Sequence, residues 1–227
     1  MALILNIDTA IDAASVCLAK DAEVLSIVKN VRKDSSGEKQ KDHAAWLHVG
    51  IKEVLEKNKL ELKTMDAIAV TGGPGSYTGL RIGMATVKGI CYALARPLII
   101  LNTLQVMANA ARNESADLLC PMIDARRMEV FTGIYSKDLQ TVKEPAAITI
   151  NEKSFDEELI NHSICFFGNG SNKFRLIKKN EKAFFSIVNM DATHMVSLSE
   201  DKFRKKEFAD LAYAEPIYLK EFYTPGK

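Results

Sequence analysis

The residues best placed to do chemistry are a glycine-rich stretch, Thr71-Gly72-Gly73-Pro74-Gly75-Ser76-Tyr77-Thr78-Gly79, and two aspartates, Asp8 and Asp124, that sit in similar hexapeptides. Glycines let a backbone approach a ligand, and a helix start offers unbonded N–H groups and positive partial charge. No Asp or Glu lies between Asp66 and Glu114, so the turn is suited to an anion. It matches none of the standard patterns, however. The last glycine of a dinucleotide loop is missing, as is the acid expected about 20 residues later. Leu80-Arg81 follows Gly79 where a Walker loop needs Lys and Ser or Thr, and Ser76 lacks the Gly-x-Ser-x-Gly spacing of a nucleophile elbow.

The aspartates lie in Leu5-Asn6-Ile7-Asp8-Thr9-Ala10 and Pro121-Met122-Ile123-Asp124-Ala125-Arg126, each where a strand gives way to a turn. They could form a carboxylate pair or hold hydrated Mg²⁺ in a kinase-like cleft. The preferred role is to cap their own turns, as Asp commonly does. His43 and His48 stand five apart on one helix and splay, while His162 and His194 are isolated. Cys17, Cys91, Cys120 and Cys165 occur singly in apolar segments without metal-ligand spacing. Neither set forms a metal site.

These groups must be carried by an ordinary globular chain. Its 227 residues are 47% hydrophobic and 26% charged, with a formal net charge of +1. That charge argues against a protein that grips nucleic acid alone. No apolar run reaches membrane-spanning length, and Leu3–Ile7 is too short for a signal peptide. Reduced thiols and a cytoplasmic location are therefore expected. Strands are predicted at 3–7, 14–19 and 23–31, then a charged loop at 31–41 and a helix from Asp42 to about Asn58. Ala67–Val70 and Leu98–Leu101 read as buried strands flanking a helix over 79–95. On the first helix Trp46 and Val49 point away from the core face of Leu47, Ile51 and Val54. The second helix is apolar nearly all round and carries a small face, Gly79, Gly83, Thr86, Gly89 and Ala93. Such a helix needs cover on two sides.

After a helical linker at 104–112 the pattern restarts, with strands at 118–124, 128–135 and 139–150, a helix at 152–161, a strand at 163–168 and a second glycine turn, Gly168-Asn169-Gly170. A short strand at 184–188, a helix at 199–212 and a frayed tail at 223–227 complete the chain. The basic pairs Arg126-Arg127 and Lys178-Lys179 read as solvated surface. The repeated order and the paired hexapeptides indicate a duplicated α/β domain. The arrangement resembles that of the actin, sugar kinase and Hsp70 superfamily, which implies two similar βββαβαβα-type α/β domains, the second reduced. The boundaries are 1–103 and 104–227, with the C-terminal helix free to pack back on the first domain. Asp8, Thr9, Gly73, Gly75 and Asp124 would line a vestigial nucleotide cleft, with ATP or ADP binding as the weaker alternative to no cofactor.

IDTAIDAASV near the start, VTGGPGSYTGLRIGMATVKG in the middle, IDARRMEVF in the second half and PIYLK near the end closely resemble the TsaB (YeaZ) family. Arg127-Met128 departs from that family's more usual Lys-Gly. The resemblance implies a non-catalytic partner of TsaD in bacterial synthesis of threonylcarbamoyladenosine on tRNA. TsaD holds a metal through two histidines at i, i+4, and the positions here that match them are Thr103 and Met107. Hydroxyl and thioether are poor substitutes for imidazole. The resemblance further implies a TsaD heterodimer joined by the ATPase TsaE, tRNA contact only within that complex, and a homodimer when the chain is alone. Trp46, Val49, Gly79, Gly83, Thr86, Gly89 and Ala93 are the expected interface. The rival is a working small-molecule kinase or peptidase of the same fold.

Overall fold

The computed structural model describes residues 2–11, 13–30 and 43–220. The predicted loop at 31–41, the Asp42 cap, the His43 side chain and the tail 223–227 lie outside the described residues. The chain divides into two compact units, Met1–Val106 with Met190–Pro216, and Met107–Asn189 with Ile217–Lys227. The segment around the last helix thus belongs to the first unit, and the second is not an unbroken 104–227.

In the first unit, β1 (Leu3–Asp8), β2 (Ser15–Lys20) and β3 (Glu23–Lys29) form an antiparallel meander. Helix α1 (His43–Lys57) leads to β4 (Ala67–Gly73), α2 (Tyr77–Leu94) and β5 (Leu98–Asn102), after which α3 (Thr103–Ala110) carries the chain from the first unit into the second. The sheet order is β3-β2-β1-β4-β5, with β1, β4 and β5 parallel. The second unit has β6 (Leu118–Asp124), β7 (Glu129–Ser136), β8 (Thr141–Thr149), α4 (Asp156–Asn161), β9 (Ile164–Phe167), α5 (Ser171–Ile177) and β10 (Ala183–Phe185). Its order, β10-β9-β6-β7-β8, repeats the first one strand for strand. The repeat is reduced as expected: α4 and α5 have 6 and 7 residues against 15 and 18 in α1 and α2.

Side-chain alternation assigns the faces of the first sheet. Leu5, Ile7, Val16 and Leu18 join Leu47, Ile51 and Val54 of α1 and Met84, Val87 and Cys91 of α2 in one core. The other face of β1 and β2 carries Asn6, Asp8, Ser15 and Cys17, all buried. The returning segment covers it: the Ala192 amide donates to Ser15 Oγ at 2.9 Å, and Lys29 pairs with Asp191 at 2.5 Å.

Helix ends depart from the apolar periodicity where caps decide them. α2 starts at Tyr77, because Ser76 accepts from the Gly79 amide at 3.3 Å, and stops at Ala95, which is left-handed at φ 49°. The helix expected over 199–212 is α6 (Val196–Lys205) instead. It follows a 3-10 turn capped by Asp191 and ends at left-handed Lys206, after which Ala209 bridges to Leu98 on the β5 edge. Phe155, itself left-handed, starts α4 late. Lys178 is not surface: its ammonium is buried and donates to the Glu152 and Ser154 carbonyls at 3.0 and 2.9 Å and to the Asp156 carboxylate.

The second core is aromatic. Phe166 and Phe174 lie 5.0 Å apart edge to face, with Phe155 and Phe185 against Phe166 at 5.3 and 5.4 Å. Phe174→Ala should cost about 3–5 kcal/mol, whereas the same change at half-exposed Phe184 should stay within about 1 kcal/mol; urea unfolding of the two variants checks this.

Candidate functional site

The glycine turn is closed by its own chain. A β-carbon at Gly75 would lie 2.3 Å from the Ala10 carbonyl oxygen, one at Gly79 would lie 2.0 Å from the Thr9 carbonyl oxygen, and one at Gly83 would meet Thr9 Oγ1 at 2.3 Å. The Ser76 amide donates to the Ala10 carbonyl at 2.7 Å. Gly73 has φ 120°, a conformation other residues rarely adopt. These glycines bring α2 down onto the β1–β2 hairpin, and that contact occupies the close approach a ligand would need.

Asp8 ends β1 fully buried. Its Oδ1 accepts from Thr71 Oγ1 at 2.7 Å and from the Ala10 amide, two residues on, at 3.0 Å. Among the described residues Oδ2 has no partner, nor has the buried Thr9 Oγ1. Burial pushes the Asp8 carboxyl up to about 6, against the lowering effect of its two hydrogen bonds. The geometry is a turn cap, bought at the cost of a desolvated carboxyl.

Asp124 holds the matching place in the second unit, but its surroundings differ. Its Oδ1 accepts from the Arg126 amide at 2.7 Å, again two residues on, and its side chain is about half exposed. Lys173 Nζ reaches it at 2.8 Å, and this partner holds the carboxyl below the usual carboxylate range. Lys173 also donates to the Arg127 and Glu129 carbonyls at 2.7 and 2.6 Å. The second glycine turn is sealed too. Gly168 has φ 91°, and a β-carbon there would lie 2.5 Å from the Met122 carbonyl oxygen and 2.7 Å from Met107 Cε.

Thr103 and Met107 share one face of α3 and both are buried. Met107 packs its terminal methyl against Gly168, and Thr103 Oγ1 has no partner among the described residues. One hydroxyl and one thioether are a weak donor set for a divalent ion. Among the described residues no three His, Cys, Asp or Glu side chains group as metal ligands.

The expected interface divides in two. Trp46 is 7% exposed and belongs to the core, so it is not an outward anchor. α1 packs on β2, β3 and α2 together, so its buried arc takes in a second stripe, Trp46, Gly50 and Val54. Gly50 makes room for the indole, whose Cη2 lies 2.9 Å from where its β-carbon would be. Gly79 and Gly83 are likewise internal, spent on the hairpin. The other four are open. Thr86, Gly89 and Ala93, with His48, Ala85 and Ile90, line an apolar groove of about 540 Å³ between α1 and α2. Nothing lies within 4 Å of a β-carbon at Gly89, and Val49 is 48% exposed on α1.

A family model described as TsaD, tRNA N6-adenosine threonylcarbamoyltransferase, matches residues 24–220. The "tRNA threonylcarbamoyladenosine biosynthesis protein TsaB" of Haemophilus influenzae is 27% identical, covering 99% of this chain and 98% of the relative. The protein of the same name from Buchnera aphidicola subsp. Baizongia pistaciae is 29% identical over 96% and 98%. A Pseudomonas aeruginosa crystal structure, described as similar to peptidase YEAZ, superposes with a TM-score of 0.83 at 25% identity, covering 97% of this chain and all of that one. The chain belongs to the TsaB (YeaZ) family. Within that family fold, the α/β unit is present twice, and among the described residues no helix is long and apolar enough to cross a membrane.

Two partners of the aspartates escaped sequence reasoning. Thr71 is signalled by a lone hydroxyl in an otherwise apolar strand, whereas Lys173 lies 49 residues from Asp124 and only the sheet order brings it close.

Two outcomes follow from this packing. Gly79→Ala, against a backbone oxygen, should destabilise by about 1–3 kcal/mol; Gly89→Ala should be neutral or stabilising by up to about 1 kcal/mol, both read from thermal melts. Because Asp8 binds its proton more tightly folded than unfolded, its ionisation weakens the fold as pH rises from about 4 to 6. Asp8→Asn should therefore be more stable than the parent at pH 7.5 by about 1–3 kcal/mol, an advantage that shrinks toward zero near pH 4 in urea titrations.

Proposed function

We propose that this chain is a non-catalytic docking subunit in the synthesis of threonylcarbamoyladenosine on tRNA. It presents the α1–α2 groove to the corresponding helices of TsaD, which carries out the transfer of the threonylcarbamoyl group to the adenosine beside the anticodon of ANN-decoding tRNAs, and the ATPase TsaE joins the assembly. Relatives named as tRNA threonylcarbamoyladenosine biosynthesis proteins support the process, and a TsaD family model that matches most of the chain supports a partner of like fold. The observation that carries the docking role is the groove itself, apolar and lined by small residues on an outward helix face. Small residues let helix backbones come close, and the apolar lining gains by losing its water.

The absence of chemistry in this subunit is part of the proposal. The turn that would cradle phosphate is filled by Thr9 and Ala10 of the same chain. The carboxylates that would hold a hydrated ion cap their own turns, and the α3 face that bears TsaD's histidines carries Thr103 and Met107. Nucleotide is accordingly not needed for the role, and tRNA is met within the assembly.

Gly89→Glu places a charge in the open groove without touching the core. It should abolish co-purification with TsaD while circular dichroism shows an unchanged monomer; a variant that still co-purifies normally would count against the groove. Steady ATP turnover or peptide cleavage by the pure chain would favour the kinase or peptidase reading instead.

A further inference from the structure

The β6–β7 hairpin of the second unit turns through Arg126-Arg127-Met128, and all three residues are exposed. Both arginines have left-handed backbone, at φ 69° and 51°. Glycine or asparagine holds that conformation with less strain. The shape of the turn therefore does not require arginine, and what the pair adds is two side chains held on a strained tip.

The residues around the tip answer its carboxylates and leave its guanidiniums open. Lys173 Nζ donates to Asp124 Oδ1 at 2.8 Å and to the Arg127 and Glu129 carbonyls at 2.7 and 2.6 Å. One lysine thus neutralises Asp124 and braces the turn. Lys220 pairs with Glu129. Among the described residues no carboxylate lies within ion-pair range of Arg126 or Arg127. The hairpin end and its two bracing lysines hold four cations against two carboxylates, a larger excess than the +1 of the entire chain. Three amides of the turn are bonded within the hairpin: Arg126 to Asp124 Oδ1 at 2.7 Å, Ala125 to the Glu129 carbonyl at 3.0 Å, and Glu129 to the Arg126 carbonyl at 3.1 Å. A ligand is met there by arginine side chains.

We propose that the Arg126-Arg127 tip is a phosphate-recognition site that grips the sugar-phosphate backbone of the tRNA handled by the assembly. This assignment rests on the role proposed above and gives the second unit a task of its own, apart from the groove of the first. Guanidinium is always charged, and its planar fork matches two phosphate oxygens at once. Neighbouring forks suit successive phosphates of a polyanion, whereas a mononucleotide needs an enclosing cradle of free amides. Two such contacts add to the affinity of an assembly without sufficing for a chain of near-neutral charge to bind RNA alone.

The chain assembled with purified TsaD would be titrated with a transcript of an ANN-decoding tRNA, and separately with ATP, from about 50 to 300 mM NaCl. The variants are Arg126→Asn with Arg127→Asn, the same pair changed to Lys, and Arg175→Gln with Lys179→Gln, which removes two exposed cations elsewhere in the unit. Asparagine tolerates left-handed backbone, so the first variant should melt at or above the parent's temperature and still co-purify with TsaD. Its tRNA affinity should fall about tenfold at the lowest salt, and the slope of log affinity against log salt should shrink by about 1.5. The lysine pair should keep the parent's slope, and ATP binding should be the same in every variant. If the asparagine variant binds tRNA within about twofold of the parent, or the Arg175 and Lys179 variant loses as much, the site is overturned and docking stands. Loss of ATP binding with the asparagine variant would overturn the assignment to RNA. If the parent fails to co-purify with TsaD, the docking role itself falls, and this site with it.

Discussion

α2 and the turn that leads into it come so close to the β1–β2 hairpin that three contact positions can carry no side chain. Gly75, Gly79 and Gly83 each place their α-carbon where a β-carbon would run into the Thr9 or Ala10 backbone or the Thr9 hydroxyl. Protein interiors are packed too tightly to absorb such an overlap cheaply. The approach fixes the angle at which α2 crosses the sheet, buries Met84, Val87 and Cys91, and turns Ala85, Gly89 and Ala93 outward. The same glycines that might have admitted a phosphate admit the hairpin instead. A closed turn and an open helix face are thus two consequences of one contact.

The duplication makes the functional asymmetry legible. Asp8 and Asp124 occupy matching ends of β1 and β6, and each accepts from the amide two residues on. Beyond that shared cap their chemistry parts. Asp124 has a lysine and solvent, so its charge is compensated and its acidity enhanced. Asp8 has a threonine, an amide and a covering segment, so burial works against its charge. The same residue, capping the amide two residues on in both units, therefore has opposite acid–base character, set by what the rest of each unit lays over it.

Much of the fold was readable because it rests on local signals. Period-two apolar runs located the strands, and the repeated order with the Asp8 and Asp124 hexapeptides revealed two like units. The failures were also physical. The periodicity of α1 put Trp46 outside because a helical wheel assumes one covered side, while β2, β3 and α2 all pack on this helix. Gly79 and Gly83 looked like partner-facing small residues, and nothing local distinguishes them from Gly89; only the hairpin's position does. Lys178 looked like half of a surface pair, but three acceptors from the segment leading into α4, more than 20 residues away, take it inside.

The sequence by itself determined the element order, the duplication, the family, and a set of small residues along α2, because these depend on residue type and spacing. Tertiary structure alone decided which of those small residues are spent on the hairpin and which remain in the groove, where the C-terminal segment returns, and which aspartate is buried. Each of these depends on a contact between segments distant in the chain, and the spacing of residues along one segment carries no record of what another will lay against it.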